Sequence, residues 1–149
     1  MNDNLFMEIA LLEAIKSKEI NEVPVGSVVV FGDKIIGKSH NQPISKFDPT
    51  SHAEINAIRQ AARKIGNYRL TGASIYVTLE PCAMCYGAII HSRISRLIFG
   101  AYDPKSGVCG SSIKLYDQGC FNHKPEILGG VLSDSCSSIL KDFFKDKRS

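Results

Sequence analysis

One imidazole and two thiols occur at a spacing that is typical of a zinc site. Cys82 follows His52 after the 29 residues 53–81, and Cys85 comes three residues later. Zinc held by three such ligands keeps its fourth tetrahedral position open for water, whereas a structural zinc normally takes a fourth protein ligand. Glu54 lies too close to His52 along the chain to be interpreted simply as that ligand. We therefore predict that Glu54 moves protons to and from a metal-bound water.

Each piece of this pattern also has a simpler interpretation. Ser51-x-x-Glu54 matches a capping box, in which Glu54 only closes the first turn of its helix. A lone Cys-x-x-Cys that opens a helix after a strand is also typical of thiol–disulfide oxidoreductases, and a structural zinc would recruit a fourth ligand such as Cys109. The simpler interpretations together require three coincidences, so we favour zinc. The other thiols and imidazoles have no ligand spacing: Cys109, Cys120, Cys136, His40, His91 and His123.

Composition restricts the class of protein. With 149 residues, 44% of them hydrophobic and 22% charged, we expect one globular domain, residues 1–149. Five cysteines with a single Cys-x-x-Cys pair argue against a secreted disulfide framework and favour a reducing cytoplasm. Acidic residues interrupt the N-terminal apolar positions, and no apolar stretch approaches membrane-spanning length, so we expect neither a signal peptide nor a membrane partner. The net charge of +3 is only weak support for nucleic-acid binding.

The first half of the chain predicts a helix and a hairpin. Residues 5–18 have the apolar periodicity of an amphipathic helix, with Phe6, Ala10 and Ala14 beside Met7, Leu11 and Ile15 on one face. Residues 26–31 form a β-branched run, and a turn at 32–33 leads into a second strand that begins at residue 34. A polar loop follows from residue 40 to residue 50.

The elements that position the candidate ligands alternate between helix and strand. A helix capped by Thr50 or Ser51 should end near residue 65, residues 73–79 form a strand, and Pro81 fits the first turn of the next helix. That helix, to about residue 91, is apolar nearly all round and should be buried. Because His52 and Cys82 both lie at helix starts that follow strand structure, they can meet at one crevice beyond the strand ends.

The last third is harder to assign. Residues 96–99 predict a strand, residues 101–124 contain many turn formers, and residues 125–132 contain a last strand. Ser133 or Asp134 caps a final helix. The expected inward stripe of this helix is Cys136, Ile139, Leu140, Phe143 and Phe144. Strands that alternate with helices after an initial hairpin predict a three-layer α/β domain.

Beyond these elements, the chain resembles the bacterial tRNA-specific adenosine deaminases over nearly its full length. The H-x-E and P-C-x-x-C signature is shared with other zinc nucleobase deaminases, such as those of cytidine and guanine. The longer matching blocks single out the tRNA enzymes. These blocks are EVPVG at 22–26, DPTSHAE at 48–54, NYRL at 67–70, TLEPCAMC at 78–85, HSRI at 91–94, FGA at 99–101, DPKSG at 103–107, NH at 122–123 and FF at 143–144, with Asn41 in its loop.

The resemblance implies a cytidine-deaminase-like α/β/α fold with a mixed central sheet of about five strands, and a homodimer. It implies conversion of adenosine to inosine at the wobble position of tRNA, with the anticodon stem-loop as partner. His52, Cys82 and Cys85 would hold one Zn²⁺ per subunit. Zinc-bound hydroxide would attack C6 of adenine, and Glu54 would carry the proton to N1 and then assist the departure of ammonia.

Further positions are implied as substrate contacts. Asn41 resembles the amide that holds the target base, Ala53 lies among the residues that contact substrate, and Asp103 resembles a contact to the RNA backbone or sugar. Phe144 and Arg148 match the C-terminal helix that meets the anticodon loop. Two positions depart from the family pattern: Asn21 stands where Gly is frequent, and Asp146 interrupts a tail that is usually more basic.

Overall fold

The computed structural model describes residues 2–148, and of Arg148 it describes the backbone alone. The described chain forms four α-helices and five strands, with one turn of 3₁₀ helix at Leu115–Asp117. In chain order these are α1 (Asp3–Glu19), β1 (Gly26–Phe31), β2 (Lys34–His40), α2 (Ala53–Ile65), β3 (Ser74–Leu79), α3 (Ala83–His91), β4 (Arg96–Ala101), β5 (Glu126–Leu128) and α4 (Ser133–Arg148).

The strands form one mixed sheet in the order β2-β1-β3-β4-β5. β1 runs antiparallel to both β2 and β3, whereas β3, β4 and β5 are parallel. This arrangement brings the C-terminal ends of β2, β3 and β4 to the same end of the sheet as the start of β1. Gly26 pairs with His40 there, and the Glu80 N–H donates to the Ala101 carbonyl at 2.9 Å. The predicted hairpin and mixed sheet are confirmed. The helices that carry the candidate ligands start at this end of the sheet.

Helices cover both faces of the sheet, which confirms the three-layer α/β/α prediction. On one face, the small residues of α2 and the larger side chains of α3 share a core with the inward residues of the sheet, among them Ile75 and Leu97. On the other face, α1 and α4 cover a second core that contains Met7, Tyr76 and Cys136. No helix in the described part of the chain has the length and apolar character needed to cross a membrane.

The buried face of α1 differs from the predicted one. Glu13 and Ser17 are buried, whereas Ile15 is 42% exposed. The polar residues have partners inside. Glu13 accepts from the Lys16 ammonium at 2.7 Å, and the Ser17 hydroxyl donates to the Asn41 carbonyl at 2.9 Å. Because buried polar groups are tolerated when they are hydrogen-bonded, these contacts turn the helix away from the face that hydrophobicity alone predicts.

Two expectations about helix burial are wrong. α3 buries Cys85, Tyr86, Ile89 and Ile90, but its opposite face is open. Ala83, Met84 and His91 are exposed and Gly87 and Ala88 are half-buried. On α4, Phe143 is buried but Phe144 is 44% exposed. Neighbouring residues of an α-helix point about 100° apart, so both cannot face the core.

Backbone conformations agree with two expectations from the sequence. Asn21 has φ of 65° and Gly66 has φ of 77°. Asn and Gly are the residues that adopt this left-handed conformation at least cost. The Asn found at position 21 therefore suits the turn that leads into β1.

Candidate metal centre

The three candidate ligands lie at the starts of two helices on one face of the sheet. His52 is the N-cap residue of α2 and Cys82 is the N-cap residue of α3, and neither side chain caps its own helix. Cys85 is the third residue of α3. Extended backbone at both N-cap positions leaves the imidazole and the first sulfur free to point into the crevice between the helix starts.

The predicted caps are therefore wrong, and the reason is local. The Thr50 hydroxyl donates to the Asp48 carboxylate at 2.7 Å, and the Ser51 hydroxyl donates to the Asn56 side chain at 3.1 Å. Both hydroxyls are directed to these side chains and not to the first N–H groups of α2. Pro81 likewise precedes the N-cap residue of α3 instead of lying in its first turn. The capping-box interpretation of Glu54 fails with this result, since Ser51 is not the N-cap residue.

The ligand atoms lie at distances that suit one zinc ion. His52 Nδ1 is 3.7 Å from Cys82 Sγ and 3.5 Å from Cys85 Sγ. Zn–S bonds of about 2.3 Å and Zn–N bonds of about 2.0–2.1 Å in a tetrahedron place nitrogen and sulfur roughly 3.6 Å apart. In the described chain these three residues are the only such cluster of His, Cys, Asp and Glu ligands, and Cys109 is not part of it. The described residues therefore supply three ligands and no fourth.

The electrostatics of the cluster favour a cation. A hydrogen bond from Cys85 and the neighbouring His52 lower the pKa of Cys82 to about 4. The Cys82 thiolate, together with burial, raises the pKa of Cys85 far above its ordinary value. The hydrogen bond to Cys82 raises the pKa of His52. With no cation between the sulfurs only one of them ionises readily, whereas a divalent ion stabilises both thiolates and a neutral imidazole.

Glu54 lies in the first turn of α2 and is 4% exposed. Burial raises the pKa of its carboxyl group to about 7, and the Cys82 thiolate adds to this effect. The Cys85 thiol is close enough to form a hydrogen bond with the carboxylate. A carboxyl group with a pKa near neutrality can both accept and donate a proton under physiological conditions, which is what a general acid–base residue requires.

Asn41 is joined to the same helix start. Its Oδ1 accepts a hydrogen bond from the Ala53 N–H at 2.9 Å, and its side chain is largely buried. The backbone carbonyl of Asn41 accepts from Ser17. The structure therefore brings together six of the residues singled out from the sequence: Asn41, His52, Ala53, Glu54, Cys82 and Cys85.

Two of the remaining sequence candidates line a groove that contains none of the three candidate ligands. Asp103 and Phe144 line an open groove of about 440 Å³ together with Val23, Leu79 and Lys105. The Asp103 carboxylate accepts hydrogen bonds from the N–H groups of residues 105 and 106 of its own loop. The side chain of Arg148 lies outside the described residues.

Two buried carboxylates beside the site were missed by the sequence reasoning. Glu22 is 1% exposed and accepts from the N–H groups of Ile44 and Ser45, in the loop that follows Asn41. Glu80 is 2% exposed and binds the loop that follows β4. A signal was available for Glu80: an acidic residue directly between a buried strand and a cysteine ligand requires partners, although the sequence does not identify them.

Comparison with known proteins agrees with this geometry. Residues 1–148 match the family model of the MafB19-like deaminases. A tRNA-specific adenosine deaminase of Haemophilus influenzae is 48% identical over 147 residues, which cover 98% of this chain and 85% of that protein. A Bacillus subtilis protein of the same name is 42% identical, covering 98% of this chain and 91% of its own length.

A solved structure from biochemical and structural studies of A-to-I editing by tRNA:A34 deaminases superposes with a TM-score of 0.89. It is 44% identical in sequence, and the match covers 91% of this chain and 98% of that one. The sequence and the fold therefore agree over nearly the whole chain.

Proposed function

Because this chain belongs to the MafB19-like deaminases and, among them, to the tRNA-specific adenosine deaminases, we propose that it converts adenosine to inosine at the wobble position of tRNA. The relatives named above supply the class of enzyme, a hydrolytic deaminase. The observation that supports the chemistry is the cluster of one imidazole and two thiols with a buried carboxylate beside it. The substrate of this chain is then the anticodon stem-loop of a tRNA.

The donor set suits Zn²⁺, one ion per subunit, with His52, Cys82 and Cys85 as its ligands. Zinc bound there would supply a water molecule whose pKa approaches roughly 7 and which attacks C6 of adenine near neutral pH. The protein would contribute the movement of protons. Glu54 would accept a proton from that water and deliver it to N1 of the ring. It would then accept the proton of the new hydroxyl group at C6 and pass it to the amino group, which leaves as ammonia.

The protein would also hold the base. Since Asn41 Oδ1 already accepts from the Ala53 N–H, its Nδ2 would donate to an acceptor on the purine. The base must leave its stack to reach the site, which costs a few kcal/mol and favours the exposed anticodon loop over a duplex. Asp103, Phe144 and Arg148 would contact the RNA beside the flipped nucleotide.

We further propose that the protein is a homodimer and that the open face of α3 is part of its interface. This face consists of Ala83, Met84, Gly87, Ala88 and His91 and has no acidic or lysine side chain. The core of an interface between subunits is enriched in Met and depleted of charged residues. All five cysteines are free thiols, which agrees with activity in a reducing cytoplasm. Residues 1–149 would act as one deaminase domain.

The decisive experiment is to incubate the zinc-loaded protein with total tRNA and to measure inosine by nucleoside mass spectrometry. We expect inosine in tRNA, and no comparable turnover of free adenosine, cytidine or guanine. Turnover of guanine or cytidine without RNA would instead identify a free-base or nucleoside deaminase. A Cys82–Cys85 disulfide without bound metal would identify a redox protein.

A further inference from the structure

A buried carboxylate lies between the end of β3 and the first cysteine of the candidate metal centre. Glu80 is 2% exposed. Its Oε1 accepts from the Asp103 N–H at 3.0 Å and from the Ser111 hydroxyl. Its Oε2 accepts from the Cys109 N–H at 2.9 Å and from the Ser111 N–H at 3.2 Å. Four donors from a single loop, residues 102–111, therefore surround one charge.

The loop is folded closely around this carboxylate. Gly107 lies against it, and a Cβ atom at this position would overlap Glu80 Cδ and approach the Asp103 carbonyl to 2.6 Å. The Gly107 N–H donates to that carbonyl at 2.9 Å. The Glu80 N–H in turn donates to the carbonyl of Ala101, the last residue of β4. Glu80 is therefore bonded to the end of β4 through its backbone and to the loop through its side chain.

A buried carboxylate is stable only when its lone pairs are hydrogen-bonded, and bonds to a charged acceptor are stronger than bonds between neutral groups. The charge of Glu80 and the conformation of the loop thus depend on each other. Glu80 is too buried to touch a substrate, and its lone pairs are already occupied. The side chain of Glu80 can therefore act on the reaction through the loop that it binds.

We propose that Glu80 is a positioning residue that fixes the loop 102–111 relative to the metal ligands. Asp103 and Lys105 of this loop line a groove together with Leu79, which lies three residues before Cys82 in the sequence. Held by Glu80, they would meet the phosphates and sugars next to the reacting base, and such contacts set the register of a nucleic acid. This inference rests on the proposed function and names the residue that connects its metal centre to its RNA-binding loop.

Glu80→Gln tests the role, because the amide keeps the volume and one acceptor oxygen but replaces the other with a donor. We expect KM for an anticodon stem-loop to rise about tenfold or more, the loss typical of a hydrogen bond to a charged group. We expect kcat to stay within about threefold and zinc to remain near one ion per chain. An unchanged KM would overturn the inference, as would a loss of kcat together with zinc, which would indicate a purely structural role.

A second measurement needs no substrate. Hydrogen exchange of the amides of residues 103, 109 and 111 should be faster in Glu80→Gln than in the wild type, with little change in α1. Unchanged protection of these amides would overturn the inference whatever the activity. If the wild type forms no inosine, the proposed function fails, and the exchange data together with RNA affinity still decide the role of Glu80.

Two variants complete the test. Ser111→Ala removes one donor to Glu80 and is milder, so it decides the question if Glu80→Gln does not fold. It should raise KM in the same direction, and the effects of the two substitutions should not add. Asp3→Asn is the matched control. This carboxylate accepts from Tyr76 and from Arg96, which lies at the start of β4 and so at the opposite end of the sheet from Glu80. Its loss should therefore lower stability and leave KM unchanged.

Discussion

The side-chain oxygen of Asn41 accepts a hydrogen bond from the backbone N–H of Ala53 at 2.9 Å. This N–H belongs to the first residue of α2, where the helix itself provides no acceptor, and Ala53 directly follows His52 in the sequence. The contact orients the amide, because only Oδ1 can accept from an N–H group. The contact engages one lone pair of Oδ1, and the two N–H groups of Nδ2 are the donors that remain for a ligand.

This orientation predicts different effects for two substitutions of Asn41. Asn41→Asp keeps an acceptor for the Ala53 N–H but loses the donor, so kcat/KM should fall about 10-fold or more while the melting temperature changes little. Asn41→Ala loses both contacts and should also lower the melting temperature. Steady-state kinetics on an anticodon stem-loop and thermal unfolding check both. Full activity of Asn41→Asp would exclude donation by Nδ2.

Removing the proton carrier should separate chemistry from metal binding. Glu54→Gln should retain zinc yet lose roughly 10²–10⁴-fold in turnover, the range typical of a lost acid–base group. Single-turnover kinetics and elemental analysis measure the two quantities. Glu13→Gln is the matched control, because Glu13 is equally buried at 4% exposure but lies on α1. Near-wild-type turnover in zinc-replete Glu54→Gln would refute the role.

Loss of one sulfur ligand should show in metal content. Cys85→Ser should lower zinc occupancy, because a serine hydroxyl ionises far less readily than a thiol at neutral pH and is a poorer zinc ligand. Cys120→Ser changes an exposed thiol outside the cluster and should leave occupancy near one ion per chain. Elemental analysis of both variants checks the expectation. Equal zinc content in the two would remove Cys85 from the ligand set.

Local signals were sufficient for the elements that hold the site. The β-branched run at 26–31 is the observed β1, and Gly66 ends α2 as expected. The candidate ligands were readable because His52, Cys82 and Cys85 have side chains with distinctive chemistry, and the strand–helix alternation placed them at helix starts. These features depend on residues close together in sequence.

Features that depend on particular side-chain hydrogen bonds were not readable. The loop 102–111 has no periodicity, because its shape follows from hydrogen bonds to Glu80, more than 20 residues earlier. The cap of α2 was misplaced because Asp48 and Asn56 compete for the hydroxyls of Thr50 and Ser51. Burial of Glu13 depends on Lys16 and on His40, which lies on β2. Specific side-chain hydrogen bonds, some of them local and others tertiary, overrode the propensity of the segment in each case.

The open face of α3 predicts how subunits associate. Met84→Asp should shift the protein from dimer to monomer, because an interface core does not tolerate an unpaired charge. Leu12→Asp, at a position of α1 that is 60% exposed, is the control and should remain dimeric. Light scattering after size-exclusion chromatography gives the mass. A monomeric wild type at micromolar concentration would contradict the proposed homodimer.

The ion pair between Asp3 and Arg96, at the end of the sheet away from the candidate metal centre, predicts a dependence of stability on pH. A hydrogen bond from Arg96 lowers the pKa of Asp3 below its ordinary 3.8. A lowered pKa in the folded state stabilises the fold above pH 3.8, and this contribution is lost as the pH falls through the folded-state value. Asp3→Asn should cost about 1 kcal/mol at pH 7 and less below pH 4. Urea unfolding at both pH values measures the difference, and a cost independent of pH would contradict the assignment.

The candidate metal-binding atoms lie at the starts of two helices, with His52 at the start of α2 and both sulfurs at the start of α3. In the unfolded chain His52 and Cys82 are separated by 29 flexible residues, so the imidazole is not held near the two sulfurs. The unfolded chain therefore binds the ion more weakly than the folded one. Mass action then links metal supply to folding: free zinc at 1,000 times its dissociation constant adds about 4 kcal/mol to the free energy of unfolding. The catalytic ion would thus also stabilise the fold by joining the starts of α2 and α3. Scarcity of zinc would lower the folded population as well as the turnover.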